Sequence, residues 1–202
     1  MSALTARRLR LAPDALAAMC RALALLPPPG FDVPSGSIGA RGHPSVAAGL
    51  VATCAPRVGV LVTSTVGAVT AAFGLRDDLG GGFLRAVDSE VEVSAWPAVR
   101  LGEELSRAVP SLGCGAAFAL HAPLTEVTDC AELRTAVRGT LRASVVAPPH
   151  VVGQVVWLAT AEGWLSLEPA EVRRGVRWAT VRPVTPSELG AAVAPLVASA
   201  LS

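Results

Sequence analysis

The residues of this chain suited to chemistry are three histidines, one pair of adjacent carboxylates, a run of three glycines and four cysteines. General acid–base catalysis requires a histidine within hydrogen-bond reach of its substrate and of an orienting partner. His43, His121 and His150 sit in the contexts HP, HAP and PPH, which read as loops and place no partner at a fixed offset. Asp77-Asp78 would be the acidic component of an acid or metal site, but no second acidic cluster joins it, and adjacent loop carboxylates are ordinarily solvated. Gly80-Gly81-Gly82 lacks the lysine and hydroxyl residue of a phosphate loop and falls between strands, where no helix amides converge on an anion, so it is expected to be a hairpin tip. Gly113-Cys114-Gly115 follows a helical pattern and reads as its stop. Cys20, Cys54, Cys114 and Cys130 form no C-x-x-C pair and have no histidine at zinc-site spacing, so they read as small buried hydrophobes. The expectation is no catalytic residue, no metal and no cofactor: a protein that is not an enzyme.

Composition narrows the remaining classes. At 202 residues with 51% hydrophobic content, the chain can bury a substantial core. A net charge of +1 from scattered charges provides no field to gather phosphates, so nucleic acid is not an expected partner. The basic start ARRLRL is followed by Pro13, Asp14 and Arg21 where a signal peptide needs an unbroken apolar core. No stretch has the roughly 18 consecutive apolar residues of a membrane span. A cytoplasmic protein is therefore expected. Lysine, asparagine and tyrosine are absent and isoleucine occurs only at Ile38, as a very GC-rich genome, such as that of an actinobacterium, would produce.

The elements that would position these residues follow from periodicity. A short strand over Ala6–Leu11 precedes a helix from Pro13-Asp14, with Leu16, Met19, Leu23 and Leu26 at helical spacing, stopped by Pro27–Gly30. Phe31 to Pro44 has no period and reads as a crossing loop, and a second helix covers Ser45–Cys54. In RVGVLVTST, Val58, Val60 and Val62 alternate with Gly59, Leu61 and Thr63, which predicts a strand with one buried face. GAVTAAFGL, GGFLRAV and VEVSAW complete a four-stranded meander, with RDDLGG as a hairpin loop, and VRLGEELSRAVPSL forms a helix. The order then recurs: a helix at Asp129–Val137 with Asp129 and Glu132 as its cap, strands in LRASVVA, GQVVWLAT, WLSLEP and VRWATVRP, and a last helix opened by Thr185-Pro186-Ser187-Glu188. Pro-Pro-His, Ala161-Glu162-Gly163 and EVRRG are the expected connections in this second set.

An offset near 85 residues pairs Val91 with Val176, Glu103 with Glu188 and Pro110 with Pro195. We read this as an internal duplication. A meander with one apolar face is unstable alone, but two can join edge to edge or pack through helices about a twofold axis. The predicted fold is α+β: duplicated antiparallel β-meander-plus-helix units, a pseudo-twofold axis, and a central sheet flanked by helices. Residues 1–202 are one domain, with halves of about 1–112 and 113–202.

Three stretches, read in order, resemble the EspG family of chaperones from type VII (ESX) secretion systems of actinobacteria. LAPDALAAMCRALAL resembles the family's opening helix, and SVAAGLVATCAPRVGVLVTST resembles the helix, turn and strand that begin its first repeat. VGQVVWLATAEGWLSL with VRWATVRPVTPSELGAAVAPLV resembles its closing strands and last helix. The chain is shorter than a typical member, with reduced joining segments, notably Phe31 to Pro44. The resemblance implies a cytosolic chaperone that binds the apolar tip of a helical PE/PPE-like secretion substrate, keeps it soluble and targets it for export. The alternative is a non-catalytic, dimeric binding or regulatory α+β domain with a different ligand; for the chain itself a monomer or homodimer is expected.

The expected contact surface lies in the second half. Trp157, Trp164 and Trp178 fall on three successive strands, where large amphipathic rings either fill the core or anchor a partner. Leu133 and Val137, on the neighbouring helix, join them as candidates. If Val91, Val93 and Ala95 face inward, then Glu90, Glu92, Ser94 and Trp96 face outward, and the repeat places Arg177 outward where Glu92 stands in the first half.

Overall fold

The computed structural model describes residues 6–31, 44–85, 90–113 and 118–202. His43, Cys114, Gly115 and most of the loop predicted over Phe31 to Pro44 lie outside these residues. The first half contains strand β1 (Arg7–Leu11), helices α1 (Pro13–Ala22) and α2 (Pro44–Cys54), and then four strands, β2 (Val58–Ser64), β3 (Thr70–Arg76), β4 (Leu79–Arg85) and β5 (Val91–Pro97). A 3-10 turn at Ala98–Arg100 leads into helix α3 (Leu101–Arg107). The second half repeats this series: β6 (Leu120–Pro123), α4 (Leu124–Asp129), α5 (Ala131–Ala136), β7 (Gly139–Ala147), β8 (His150–Ala159), β9 (Trp164–Arg173), β10 (Val176–Val184) and α6 (Glu188–Leu201).

These strands form one sheet of ten, in the order β1-β5-β4-β3-β2-β7-β8-β9-β10-β6. Read outward from the β2–β7 junction, both halves have the same order: the four meander strands, with the half's first strand at the rim. β2 and β7 pair antiparallel, Val62 opposite Ala143, as a twofold axis perpendicular to the sheet requires of the strands it relates. This is the duplicated arrangement predicted from the repeat.

The alternation in β2 assigns the two faces. Val58, Val60 and Val62 belong to a core covered by α3 and α6, together with Phe73, Trp96, Leu141, Ala143, Val145, Trp157, Trp164, Leu189 and Val193. On the opposite face, α1 and α2 cover the first half through Leu16, Met19, Leu50, Phe83, Val91 and Val93. There α4 and α5 cover the outer second half, through Val127 and Leu133 over Leu165, Ala179 and Val181.

Several local expectations are corrected. The three glycines are not a hairpin tip: Asp77-Asp78 alone makes the turn, and Gly80, Gly81 and Gly82 lie within β4. Close packing explains them. A Cβ on Gly81 would stand 2.0 Å from the carbonyl oxygen of Gly49 in α2, and one on Gly80 would stand 1.8 Å from the Trp96 ring. α1 stops at Ala22, so Leu26 is exposed rather than on a helical stripe, and Phe31, outside any helix or strand as expected, is nonetheless buried against Phe83 at 5.4 Å. The predicted Asp129–Val137 helix is two, broken at Cys130, and Asp129 ends the first rather than capping the second. EVRRG is not a loop: β9 continues to Arg173, and Arg174-Gly175 turns with both φ positive, at 49° and 78°. Pro110 follows α3 while Pro195 lies inside α6, so that pair is not equivalent.

The expected start of α6 forms in part. The Glu188 carboxylate accepts the Thr185 backbone N–H at 2.7 Å, as in a capping box, but the Thr185 hydroxyl donates to that same carboxylate at 3.1 Å. Among the described residues, no helix is long and apolar enough to cross a membrane.

Candidate partner-binding surface

The structure divides the predicted contact residues between core and surface. Trp157 and Trp164 point under α6 and are only 1% and 2% exposed, so they fill the core and are not a contact surface. The Trp164 indole donates to the Pro110 carbonyl at 3.0 Å, which satisfies its one polar atom and ties the second sheet half to the segment after α3. Leu133 is also buried, and Val137 is half-buried against the same cluster. Neither is a surface anchor.

Trp178 and Arg177 remain on the surface. Trp178 is half-buried, stacked on His121 at 5.1 Å and approached by the Arg173 guanidinium at 5.3 Å. His121 comes from β6 and Arg173 from β9, the strands on either side of β10, and a register shift in β10 between Arg177 and Ala179 sets the ring between them. Arg173 also pairs with Glu171, whose carboxyl is held below its ordinary range first by that hydrogen bond. His121 is therefore on a strand, not in a loop, with Nδ1 2.9 Å from the Thr180 hydroxyl. His150 is likewise the first residue of β8.

The expected outward face of β5 is covered. Trp96 is 1% and Ser94 4% exposed, because α3 packs over this side of the sheet. Glu92 enters an ion cluster with Arg107 at 2.6 Å and Arg8 at 3.5 Å. The buried Glu104 of α3 completes it, contacting Arg8 and lying 2.9 Å from Arg107. The acidic-against-basic contrast between Glu92 and Arg177 is thus not a pair of open surfaces: Glu92 is neutralised internally and Arg177 is exposed.

A surface that the sequence pattern did not mark lies between the two helical pairs. One row of residues crosses the sheet on the face that carries α1, α2, α4 and α5. Its register runs Leu9, Val93, Phe83, Ala72, Leu61, Ser144, Gln154. The row is apolar beneath α1 and α2 and turns polar at Ser144 and Gln154, where neither pair reaches. Thr63, Arg142 and Gln154 are exposed there, while Gly59, Leu61, Ser144, Val146 and Val156 are half-exposed. The strip is a trough with a sheet floor and helical walls. Its first-half wall deepens into a groove of about 300 Å³, lined by Leu26, Pro27, Pro29, Cys54, Leu61 and Val146. Alternation had indicated which face of β2 is less buried, but the extent of the trough depends on helix length and placement.

Such a floor, mixed in polarity and rimmed by an exposed leucine and prolines, suits a protein surface better than a small substrate. The carboxylate pair considered for chemistry, Asp77-Asp78, borders a separate apolar groove with Arg57, Val99, Leu101 and Leu201 and no histidine.

No family model matches the chain, and no curated protein does. Among solved structures, it is similar to the type VII secretion system chaperone EspG5 of Mycobacterium tuberculosis, determined in complex with a PE25–PPE41 dimer. The superposition covers 96% of each chain with a TM-score of 0.55, at 10% sequence identity. With a shared α+β architecture over nearly the whole of both chains, this protein has the EspG5 fold.

Proposed function

We propose that this protein is a cytoplasmic chaperone of the EspG type, a member of that family, which holds a helical PE/PPE-like type VII secretion substrate in the trough between its two helical pairs. It acts by binding, without a catalytic step, keeping the substrate's apolar tip from water and presenting it for export. The observation that carries this reading is the full-length likeness to a chaperone captured with a PE–PPE dimer, joined to an open strip of central sheet. The shape supports it: a helical tip entering the trough meets Leu26, Leu61 and Val146 on one side and Arg142 and Gln154 on the floor. Three of the titratable groups are already held by internal contacts. His121 is engaged by Trp178 and Thr180, and Glu92 and Glu104 by arginines.

The test is co-expression with PE–PPE-type heterodimers, followed by size-exclusion chromatography. Wild type is expected to form a stoichiometric complex and keep the dimer soluble. Arg142→Glu and Gln154→Trp, both at exposed positions, are expected to weaken capture by about tenfold or more with unchanged melting temperature. A defined homodimer that ignores every such heterodimer would instead favour a binding domain with another ligand.

A further inference from the structure

We propose that the cleft where β8 and β9 part is a strand slot, in which the free edge of β8 takes up an extended, uncharged segment of a partner polypeptide as an added strand. The two halves of the sheet differ there. In the first half β3 and β4, the strands at the equivalent place, pair along their whole length, from Thr70 opposite Arg85 to Arg76 opposite Leu79. Among the described residues of the second half, only Trp157, Leu158 and Ala159 of β8 pair with β9, opposite Ser166, Leu165 and Trp164, although β8 begins at His150 and β9 runs on to Arg173. Between the parted strands lies a cleft of about 400 Å³, with Val155 and Val156 on one side, Leu167 and Glu168 on the other, and Ala191 and Pro195 of α6 along one wall.

Local chemistry explains the parting. Pro169 would stand opposite Gln154 if the register continued, and it has no N–H to give to a ladder, so within a sheet it is confined to an edge. Register shifts in both flanking ribbons, between Val145 and Val146 in the β7–β8 pair and between Arg177 and Ala179 in the β9–β10 pair, add local twist that turns the two strands apart. The edges left open are unlike. β9 is guarded by Pro169 and by Glu168, which pairs with Arg182 at 3.0 Å. Residues 151–156 of β8 carry no charge and no proline, and Val151 is 59% exposed. An unguarded edge of this kind is a template for a further strand, and its valines favour the extended conformation.

The slot selects its occupant. An added strand meets backbone N–H and C=O groups of β8, so its main chain supplies the affinity and its alternating side chains supply the selectivity. Those turned toward α6 meet Ala191, Ala192 and Pro195, which suits small or branched apolar residues. Pro195, inside α6, has no N–H for the Ala191 carbonyl, which leaves one more acceptor on that wall. On the opposite face the slot opens into the trough, because Gln154 and Val156 belong to both. On the chaperone reading above, on which this assignment of the source rests, the strand comes from the same partner: an extended segment leading away from the helical tip seated in the trough.

The probe is an end-blocked peptide alternating valine and threonine, used beside two versions N-methylated along one edge or the other. Binding to the full chain is read by calorimetry and by hydrogen exchange. The parent peptide is expected to bind and to slow exchange within residues 151–156 of β8. Methylation of one edge should weaken binding by about tenfold or more and methylation of the other should change it little, since only one edge pairs with β8. Ala191→Trp, at an exposed position that lines the cleft and lies outside the trough, should abolish binding without moving the melting temperature. The slot is overturned by no binding, by equal binding of all three peptides, or by binding that leaves β8 exchange unchanged, and the peptide comparison decides this even if the variant does not fold. PE–PPE-type heterodimers separate the two readings. Capture without protection of β8 removes the slot and leaves the chaperone function standing, whereas peptide binding with no heterodimer captured keeps the slot and removes its assigned source.

Discussion

Gly102 of α3 and Gly190 of α6 meet at the crossing of the two helices that close each half: a Cβ built on Gly190 would stand 2.6 Å from the Gly102 Cα. The contact is nearly but not fully symmetric, since a Cβ on Gly102 would find the Gly190 Cα at a comfortable 3.7 Å. Duplicated helices thus approach backbone to backbone near the axis that relates the halves.

That asymmetry predicts opposite outcomes for the same change. Gly190→Ala forces the helices apart and should destabilise by about 1–3 kcal/mol. Gly102→Ala has room for its methyl group and gains helix propensity, so it should be neutral or stabilising by up to about 1 kcal/mol. Urea denaturation of the two variants checks this, and equal losses would contradict the geometry.

The tryptophans should separate in the same way. Trp157→Ala empties a site that is 1% exposed and should cost about 3–5 kcal/mol. Trp178→Ala loses a half-buried ring with its His121 and Arg173 contacts and should cost about 1 kcal/mol. Chemical denaturation measures both.

The acid response of α6 rests on Glu188. Its carboxyl is held below the ordinary range, first by the Arg182 hydrogen bond at 2.7 Å and then by the Thr185 N–H. A depressed folded-state value stabilises above the unfolded carboxylate value of about 4.3, and this stability is lost as pH falls through the lower folded value. Arg182 and Glu188 are 44% and 37% exposed, so solvent screening limits the effect to a few tenths of a kcal/mol, roughly. Glu188→Gln should flatten the melting temperature between about pH 5 and 3 by that small amount, and an unchanged acid slope would remove Glu188 from the account.

Glu104 is the opposite case, a charge buried to 1% and held by Arg8 and Arg107. Glu104→Ala should cost about 1–3 kcal/mol, because it removes the buried carboxylate of the cluster and leaves Arg8 and Arg107 to Glu92 at the junction of β1 and α3. Thermal unfolding reads the loss, and protection of the β1 amides from hydrogen exchange should fall with it. A change below ~1 kcal/mol would show that Glu92 alone holds the arginines.

Much of the fold was legible because it is written in local pattern. The period-two run at Val58–Val62 and the 85-residue offset were sufficient to place a duplicated meander, since a half-buried strand must alternate and a repeat must find its own partner. Glycine was misread for a physical reason. A residue without a side chain signals either freedom or crowding, and only the position of α2 over β4 shows that Gly81 is crowded. Aromatic position was ambiguous in the same sense: Trp157 and Trp178 lie on strands of one sheet, yet α6 covers the first and leaves the second open.

From its residues alone, this chain determined its first strand, its eight meander strands, the buried side of its central strand and the duplication, but not β6 or α4, which lie where no strand or helix was expected. Tertiary structure decided which face of β5 is open, how far each helical pair reaches, and hence that a trough floored by Arg142, Ser144 and Gln154 remains exposed. Alternation is a property of a strand and can be read along it. Coverage depends on elements distant in sequence arriving over that strand, which no local spacing records.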